Sequence, residues 1–225
     1  MNIHKTLLTP FLSVSLLLGA SAAQAATWCE SGKPVKFAGL NWESGMLLTD
    51  LMQFVLEKGY DCKVDALPGN SISMENALGS NDIQVFAEEW VGRSNVWAKA
   101  EKAGKVVGVG APVVGAVEGW YVPRYVIEGD SARKLEAKAP NLKSIADLGQ
   151  YAAVFKDQEE PSKGRFYNCP AGWTCELENS EMLKSYGLEN SYTNFRPGTG
   201  PALDIAVLSS YKRGEPILFY YWSPT

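Results

Sequence analysis

Residues 169–175 read CPAGWTC, so a large indole, Trp173, lies in a Pro/Gly turn between two cysteines. An indole meant for the core belongs on a helix or strand that can bury it, whereas binding residues concentrate on loops held by a rigid scaffold. This placement indicates that Trp173 is presented to a ligand. Two further tryptophans end strand-like runs, Trp90 in VFAEEW and Trp222 in LFYYW.

These three indoles together predict the chemistry of the ligand. In open α/β sheets, ligands bind beyond the carboxyl ends of the strands, where Trp90 and Trp222 are expected. Aromatic faces suit a trimethylammonium cation, because this group has no hydrogen to donate and each desolvated ring face contributes about 1–2 kcal/mol. The backbone N–H groups of Thr174 and Cys175, held in the closed turn, can face an anionic end of the same ligand.

The amino terminus has the layout of a secretory signal peptide. Lys5 precedes an apolar run (7–18) and a small-residue ending, AQA (23–25), which predicts that residues 1–25 are cleaved off. The apolar run is too short for a membrane span. We therefore expect a protein exported to the periplasm.

Four cysteines in an exported chain predict two disulfides. They are Cys29, Cys62, Cys169 and Cys175. Of the three possible pairings, closeness in sequence favours Cys169 with Cys175, which leaves Cys29 for Cys62. Five residues separate the first pair, so its spacing differs from the Cys-x-x-Cys of redox proteins.

Charge and histidine content argue against several classes of function. The chain has 21 Lys and Arg against 25 Asp and Glu, a formal net charge of -4, which gives no electrostatic reason to expect nucleic acid. Its single histidine, His4, lies inside the predicted signal. The mature chain therefore lacks a Ser-His or Cys-His nucleophile pair and the commonest zinc ligand. We predict no catalytic residue, no metal and no cofactor.

Strand-like and helix-like runs alternate along the chain, which predicts an α/β fold with mostly parallel sheets. The predicted strands are VKFAGL (35–40), CKVDAL (62–67), IQVFA (83–87), KVVGV (105–109) and PILFYYW (216–222). The predicted helices are one with an apolar face of Leu47, Leu48, Leu51, Met52 and Val55 that ends at Gly59, one capped at Ser71 or Ser73, and those at 94–104, 144–151, 176–186 and 200–213. A Gly-rich passage near 115–123 predicts a crossing between two lobes, 26–118 and 119–225.

Two alternatives remain open from these residues. Adjacent carboxylates, Glu88 with Glu89 and Glu159 with Glu160, permit a carboxylate-dependent hydrolase, although neighbours on a strand point to opposite faces. Tryptophan faces also stack on carbohydrate, so an exported sugar-binding receptor is the other alternative. The run GVGAPVVGAVEG has Val113 where a third phosphate-binding glycine is needed, which favours a flexible connection.

Three motifs resemble the substrate-binding proteins of glycine betaine/proline betaine ABC transporters. They are FAEEW, CPAGWTC followed by Glu176, and YKRGEPILFYYWSPT. The resemblance covers most of the mature chain and implies a type II periplasmic-binding-protein fold, with two lobes that close on a betaine or choline. It implies a cage of Trp90, Trp173 and Trp222, with main-chain donors at Thr174 and Cys175. Trp42, Glu43 and Ser44 are expected to line the first-lobe wall.

The resemblance also carries expectations about partners and completeness. It implies a monomeric, non-enzymatic receptor that delivers its ligand to a membrane permease and an ATPase subunit. Some relatives place a histidine near the ligand, and the mature chain has none. Relatives continue beyond YYWSPT and return to the first lobe, so we expect a truncated chain with an incomplete first lobe.

Overall fold

The structure is a computed structural model that describes residues 28–225. The predicted signal peptide therefore lies outside the described residues. Strands and helices alternate, which confirms the predicted α/β class. The strands are β1 Val35–Gly39, β2 Val64–Pro68, β3 Val117–Tyr121, β4 Gly164–Tyr167, β5 Tyr192–Phe195 and β6 Leu218–Ser223. The helices are α1 Glu43–Tyr60, α2 Ser71–Gly79, α3 Asn95–Lys102, α4 Arg124–Glu128, α5 Thr174–Ser185 and α6 Gly200–Arg213, with a 3₁₀ helix at Ile145–Tyr151.

The first sheet has two parallel strands, β1 and β2, paired from Val35 opposite Val64 to Gly39 opposite Pro68. A disulfide between Cys29 and Cys62, with a Cα separation of 4.6 Å, joins the segment before β1 to the start of this sheet. This confirms one predicted pairing.

The predicted strand at 83–87 was wrong in extent. Only one residue pair, Phe37 with Val85, forms a parallel bridge to β1. The backbone of this segment bonds β1 through Val85 O and through the amides of Gln84 and Val85, and the ladder goes no further.

The predicted strand at 105–109 was also wrong. Val107 and Val109 are 74% and 95% exposed, and within the described residues this run joins neither sheet. Glycines at 108 and 110 weaken a strand because they offer no side chain to pack. Without a neighbouring strand, the apolar run stays in irregular structure.

The second sheet has four strands in the order β3-β6-β4-β5. β4 runs parallel to both β5 and β6, while β3 pairs antiparallel with β6 at one edge. The prediction of mostly parallel sheets is therefore confirmed. Residues 115–123, predicted as a crossing, contain β3 itself, so the edge of this sheet begins inside the Gly-rich passage.

Two helix predictions needed correction at their ends. The first helix continues past Gly59 to Tyr60, and Asp61 ends it in the left-handed conformation, φ 53°. The next helix is capped by Asn70 instead of by a serine at 71 or 73. Asn70 Oδ1 accepts from the amide of Ser73 at 3.0 Å while Ser73 Oγ accepts from the amide of Asn70 at 3.1 Å, a reciprocal capping box.

The packed face of α1 differs from the predicted apolar face. Its buried residues are Gly45 and Thr49. Leu47 and Leu51, expected to face the core, are 68% and 54% exposed.

The helices described in residues 28–225 include none with the length and apolar character of a membrane span.

Candidate ligand-binding site

The candidate site is a pocket where the carboxyl ends of parallel strands from both sheets meet. β1 leads into Asn41 and Trp42, β2 leads towards Ser71, and β4 leads into the closed turn that carries Trp173. Trp222 lies near the carboxyl end of β6. The pocket has an empty volume of ≈ 340 Å³, including space open to solvent. It is lined by Trp42, Ser71, Trp90, Arg93, Glu118, Trp173, Thr174, Cys175, Tyr220 and Trp222.

Three indole rings meet edge to face in the wall of this pocket. The centroid of the Trp173 ring lies 5.4 Å from that of Trp42, with an angle of 67° between the planes. It lies 5.5 Å from the centroid of Trp222, at 75°. Because adjacent rings are steeply inclined, they form an angular wall instead of a flat stack. Each ring is 4% or 5% exposed, so Trp173 is buried although a turn carries it.

The turn around Trp173 holds its ring in place. Cys169 and Cys175 form the second predicted disulfide, with a Cα separation of 6.2 Å. Gly172 adopts φ +87°, a left-handed conformation that L side chains rarely adopt. Beyond the turn, Trp173 Nε1 donates to Asn41 Oδ1 at 2.8 Å, a bond between the two halves of the chain. The indole is therefore fixed by the turn and by its own N–H group.

Strand pairing places two polar groups beside Trp222. Glu118 on β3 lies directly opposite Trp222 on β6, and opposite residues share one face of a sheet. Tyr220 lies on that same face because side chains alternate along a strand. The Tyr220 hydroxyl donates to Glu118 Oε2. Burial, followed by this bond, raises the pKa of Tyr220, so the hydroxyl keeps its proton and remains a donor.

Trp90 forms another part of the pocket wall and is bonded to a buried acid. Its Nε1 donates to Glu88 Oε1 at 3.0 Å, and Ser44 Oγ donates to the same oxygen at 3.1 Å. Glu88 is 8% exposed. Its other oxygen, Oε2, is buried without a hydrogen-bond partner among the described residues. One side of this carboxylate is thus satisfied and the other is not.

A guanidinium with two carboxylate partners completes the polar wall. Arg93 pairs with Glu118 and, at 3.2 Å, with Glu178 on α5. Burial raises the pKa of Glu178, and the nearby positive charge of Arg93 offsets part of this rise. Because two carboxylates already face one guanidinium, a ligand anion has to compete with both for Arg93.

The amino end of α5 supplies a position for an anion. Thr174 and Cys175 are its first two residues and line the pocket. The first N–H groups of a helix have no intrahelical partner, and Trp173 makes no side-chain cap bond to them. These donors, together with the helix dipole, favour negative charge. The pocket thus places an anion position next to aromatic rings.

Most of the predicted site residues come together in this pocket. Trp42, Trp90, Trp173, Trp222, Thr174 and Cys175 line it. Ser44 lies behind Trp90, bonded to Glu88. Glu43 begins α1 and does not line the pocket; its buried Oε2 has no partner among the described residues.

Sequence reasoning missed four lining residues: Ser71, Arg93, Glu118 and Tyr220. Alternation in LFYYW could have placed Tyr220 on the same face as Trp222. No local pattern in residues 117–121 predicts the pairing of β3 with β6, which brings Glu118 to the site.

The adjacent acids, Glu88 with Glu89 and Glu159 with Glu160, lie outside the pocket lining. Burial, and then the nearby Glu75 carboxylate, raises the pKa of Glu89 to about 8. The amides of Glu159 and Glu160 donate to Asp157 Oδ1 at 2.7 and 3.1 Å, which supports a buried acid paired with Arg165. Neither pair flanks the described pocket as two hydrolytic carboxylates would. Within residues 28–225, no group of His, Cys, Asp and Glu is arranged to hold a metal ion.

The chain is similar to proteins named as binding glycine betaine, proline betaine or choline. The chain is 27% identical over 149 residues to the glycine betaine/proline betaine-binding periplasmic protein of Escherichia coli (strain K12), which covers 66% of this chain and 42% of that protein. It superposes on a glycine betaine, L-proline ABC transporter binding protein (ProX) of Borrelia burgdorferi with TM-score 0.68 and 25% identity, covering 86% and 64% of the two chains. An ABC-transporter choline-binding protein in complex with choline gives TM-score 0.67 at 17% identity, covering 87% and 61%.

These likenesses confirm the predicted type II periplasmic-binding-protein fold. The chain spans less than two thirds of the length of each of these three relatives. Residues 33–225 match the family described as the substrate binding domain of ABC-type glycine betaine transport system. The chain therefore belongs to this family of ABC-transporter substrate-binding domains.

Proposed function

We propose that this protein is a non-enzymatic receptor that binds a quaternary ammonium compound, of the class of glycine betaine, proline betaine and choline. The observation that supports this most strongly is the edge-to-face cluster of Trp42, Trp173 and Trp222 beside an uncapped helix end. A methylated ammonium is held by ring faces because it offers no proton. The family and its named relatives support the same ligand class.

The two ends of the ligand would bind different groups. The ammonium would lie against the rings of Trp90, Trp173 and Trp222, with Trp42 as a fourth ring. A carboxylate or hydroxyl would accept from the amides of Thr174 and Cys175 at the start of α5. Every one of these groups belongs to the wall of the same pocket.

Binding would close two lobes, residues 26–118 and 119–225, over the ligand. The contacts between these segments at the pocket include the hydrogen bond from Trp173 to Asn41, the ion pair of Arg93 with Glu178, and the hydrogen bond from the amide of Ile72 to the carbonyl of Gly172. A hinge motion that makes and breaks such contacts is a common way for binding proteins to enclose a solute.

The family and the sequence support a role in periplasmic solute uptake. A cleavable signal at residues 1–25 would export the chain to the periplasm, where it would act as a monomer. Loaded protein would then deliver its ligand to the permease and ATPase subunits of an ABC transporter. The homologous E. coli protein is named as periplasmic.

Isothermal titration calorimetry tests this proposal directly. The purified mature chain is titrated with glycine betaine, proline betaine, choline, a disaccharide and a glycoside substrate. We expect saturable binding of at least one quaternary ammonium compound with a Kd of about 1 μM, about 8 kcal/mol. Saturable binding of the disaccharide alone would favour a sugar receptor, and turnover of the glycoside would favour a hydrolase. Either result would overturn the proposal.

A further inference from the structure

Glu88 is a buried acid whose two oxygens have different surroundings. Oε1 accepts from Trp90 Nε1 at 3.0 Å and from Ser44 Oγ at 3.1 Å. Oε2 is buried and has no partner in the described part of the chain. Burying a carboxylate with half its acceptor capacity unused is costly. Such a group in a folded protein requires an explanation.

Trp90 links this acid to the ligand pocket. The indole lines the pocket, while Glu88 and Ser44 lie outside the lining, on the N–H side of the ring. An indole can rotate about its side-chain bonds, and one fixed hydrogen bond to Nε1 selects one orientation. The carboxylate thus holds the ring that the ligand contacts.

We infer that Glu88 is a positioning residue that fixes the Trp90 ring and makes the pocket selective for a cation over an uncharged group of the same shape. This inference rests on the proposed function. A carboxylate accepting the indole N–H raises the electron density of the ring, which strengthens attraction between its face and a cation. Its charge also acts on the cation directly, because screening is weak inside a protein.

The neighbouring acid, Glu89, provides a matched control. Glu88 and Glu89 are adjacent glutamates, yet Glu89 makes no hydrogen bond to Trp90 among the described contacts. The negative charge of Glu75 acts on Glu89 instead. Burial raises the pKa of Glu89 to about 8, so at pH 7 the Glu89 carboxyl group is mostly protonated and uncharged. Replacing it with glutamine therefore changes little charge at pH 7.

The test compares charged ligands with their carbon isosteres. Choline is paired with 3,3-dimethylbutan-1-ol, and glycine betaine with 3,3-dimethylbutanoate; in each isostere carbon replaces the quaternary nitrogen. Glu88→Gln removes the charge and keeps an oxygen that can accept from Trp90 and Ser44. Calorimetry at pH 7 gives Kd for the parent, Glu88→Gln and Glu89→Gln with each pair.

We expect Glu88→Gln to weaken binding of the tighter quaternary ammonium ligand about tenfold, about 1.4 kcal/mol. Its isostere should bind within about twofold of the parent, and Glu89→Gln should leave both affinities within about twofold. In a Trp90→Phe background, which has no indole N–H, the Glu88→Gln effect should shrink to about threefold or less.

Other outcomes separate this inference from the function it rests on. If Glu88→Gln weakens binding of the cation and of its isostere equally, or weakens binding of neither, the selectivity role is wrong while the receptor function stands. If the parent binds no quaternary ammonium compound, the proposed function is wrong and the inference with it. Should circular dichroism show that Glu88→Gln is unfolded, Glu88→Met, uncharged and of similar volume, takes its place. Methionine is only a weak acceptor for Trp90 Nε1, so the Kd of the isostere also rises, and the expected result is a larger rise in Kd for the quaternary ammonium ligand; equal rises would contradict the selectivity role.

Discussion

Replacing Trp173 is the most informative single change, because this ring contacts two other indoles and bonds across the pocket. Alanine would cost about 3–5 kcal/mol of stability at such a buried site, a large share of the about 5–15 kcal/mol of a typical domain. Leucine keeps much of the apolar volume and removes the ring face. Trp173→Leu also removes the N–H donor to Asn41, 2.8 Å away in the parent.

The expected loss in binding follows from the missing ring face. A desolvated cation–π contact contributes about 1–2 kcal/mol, so Kd for a quaternary ammonium ligand should rise about 5- to 30-fold. Trp173→Phe, which keeps a smaller aromatic face, should lose less. Calorimetry with glycine betaine and choline measures both variants.

Trp97→Leu controls for the loss of any buried indole. Trp97 lies in α3, is 6% exposed and does not line the pocket. Urea unfolding should show that both leucine variants lose about 2–4 kcal/mol of stability, while only Trp173→Leu loses affinity. If Trp173→Leu binds like the parent, or if Trp97→Leu loses as much affinity, the ring face at residue 173 does not hold the ligand.

Three further changes test other parts of the site. Replacing Cys169 and Cys175 together with serine should lower the free energy of unfolding by about 2–3 kcal/mol and weaken ligand binding about three- to tenfold, because the turn must then be ordered on binding; unchanged calorimetry would mean that the turn is rigid without the disulfide. Glu89 has a folded pKa of about 8 against an ordinary 4.5, so its contribution to stability is complete below pH 4.5 and is lost as the pH rises through 8. The free energy of unfolding of Glu89→Gln should accordingly match that of the parent at about pH 4 and exceed it at about pH 8.5 by up to about 5 kcal/mol in urea unfolding, and equal curves at both pH values would contradict the burial of this acid. Arg93→Met removes the positive partner of Glu118, so the ratio of the glycine betaine Kd to the choline Kd should rise about three- to tenfold at about 0.1 M salt and less at about 1 M; a ratio that stays constant would exclude Arg93 from discrimination.

Local sequence signals predicted most residues of the candidate pocket wall, because the parallel sheets place strand ends together. Trp173 follows β4 and Trp222 lies near the carboxyl end of β6, and these parallel strands bring both to one edge of the sheet. The disulfide pairing also followed from spacing and compartment alone. The alternation of strand-like and helix-like runs predicted the α/β class.

Long-range pairing set the limits of the sequence interpretation. The Val-rich run at 105–109 has the composition of a strand, yet it joins neither described sheet. The buried face of α1 was predicted wrongly because apolar residues lie all around this helix. Hydrophobicity alone therefore does not distinguish the exposed Leu47 from the buried Gly45 and Thr49. Glu118 reached the pocket through the antiparallel pairing of β3 with β6. Such partnerships depend on the whole fold and leave no local pattern.

A structure of the mature chain bound to the quaternary ammonium ligand that calorimetry selects tests the central claim most directly. The ligand nitrogen should lie within about 6 Å of the ring centroids of Trp90, Trp173 and Trp222. The opposite end of the ligand should lie within hydrogen-bond distance of the amides of Thr174 and Cys175. A ligand bound away from these rings, with the indoles packed only on each other, would contradict it.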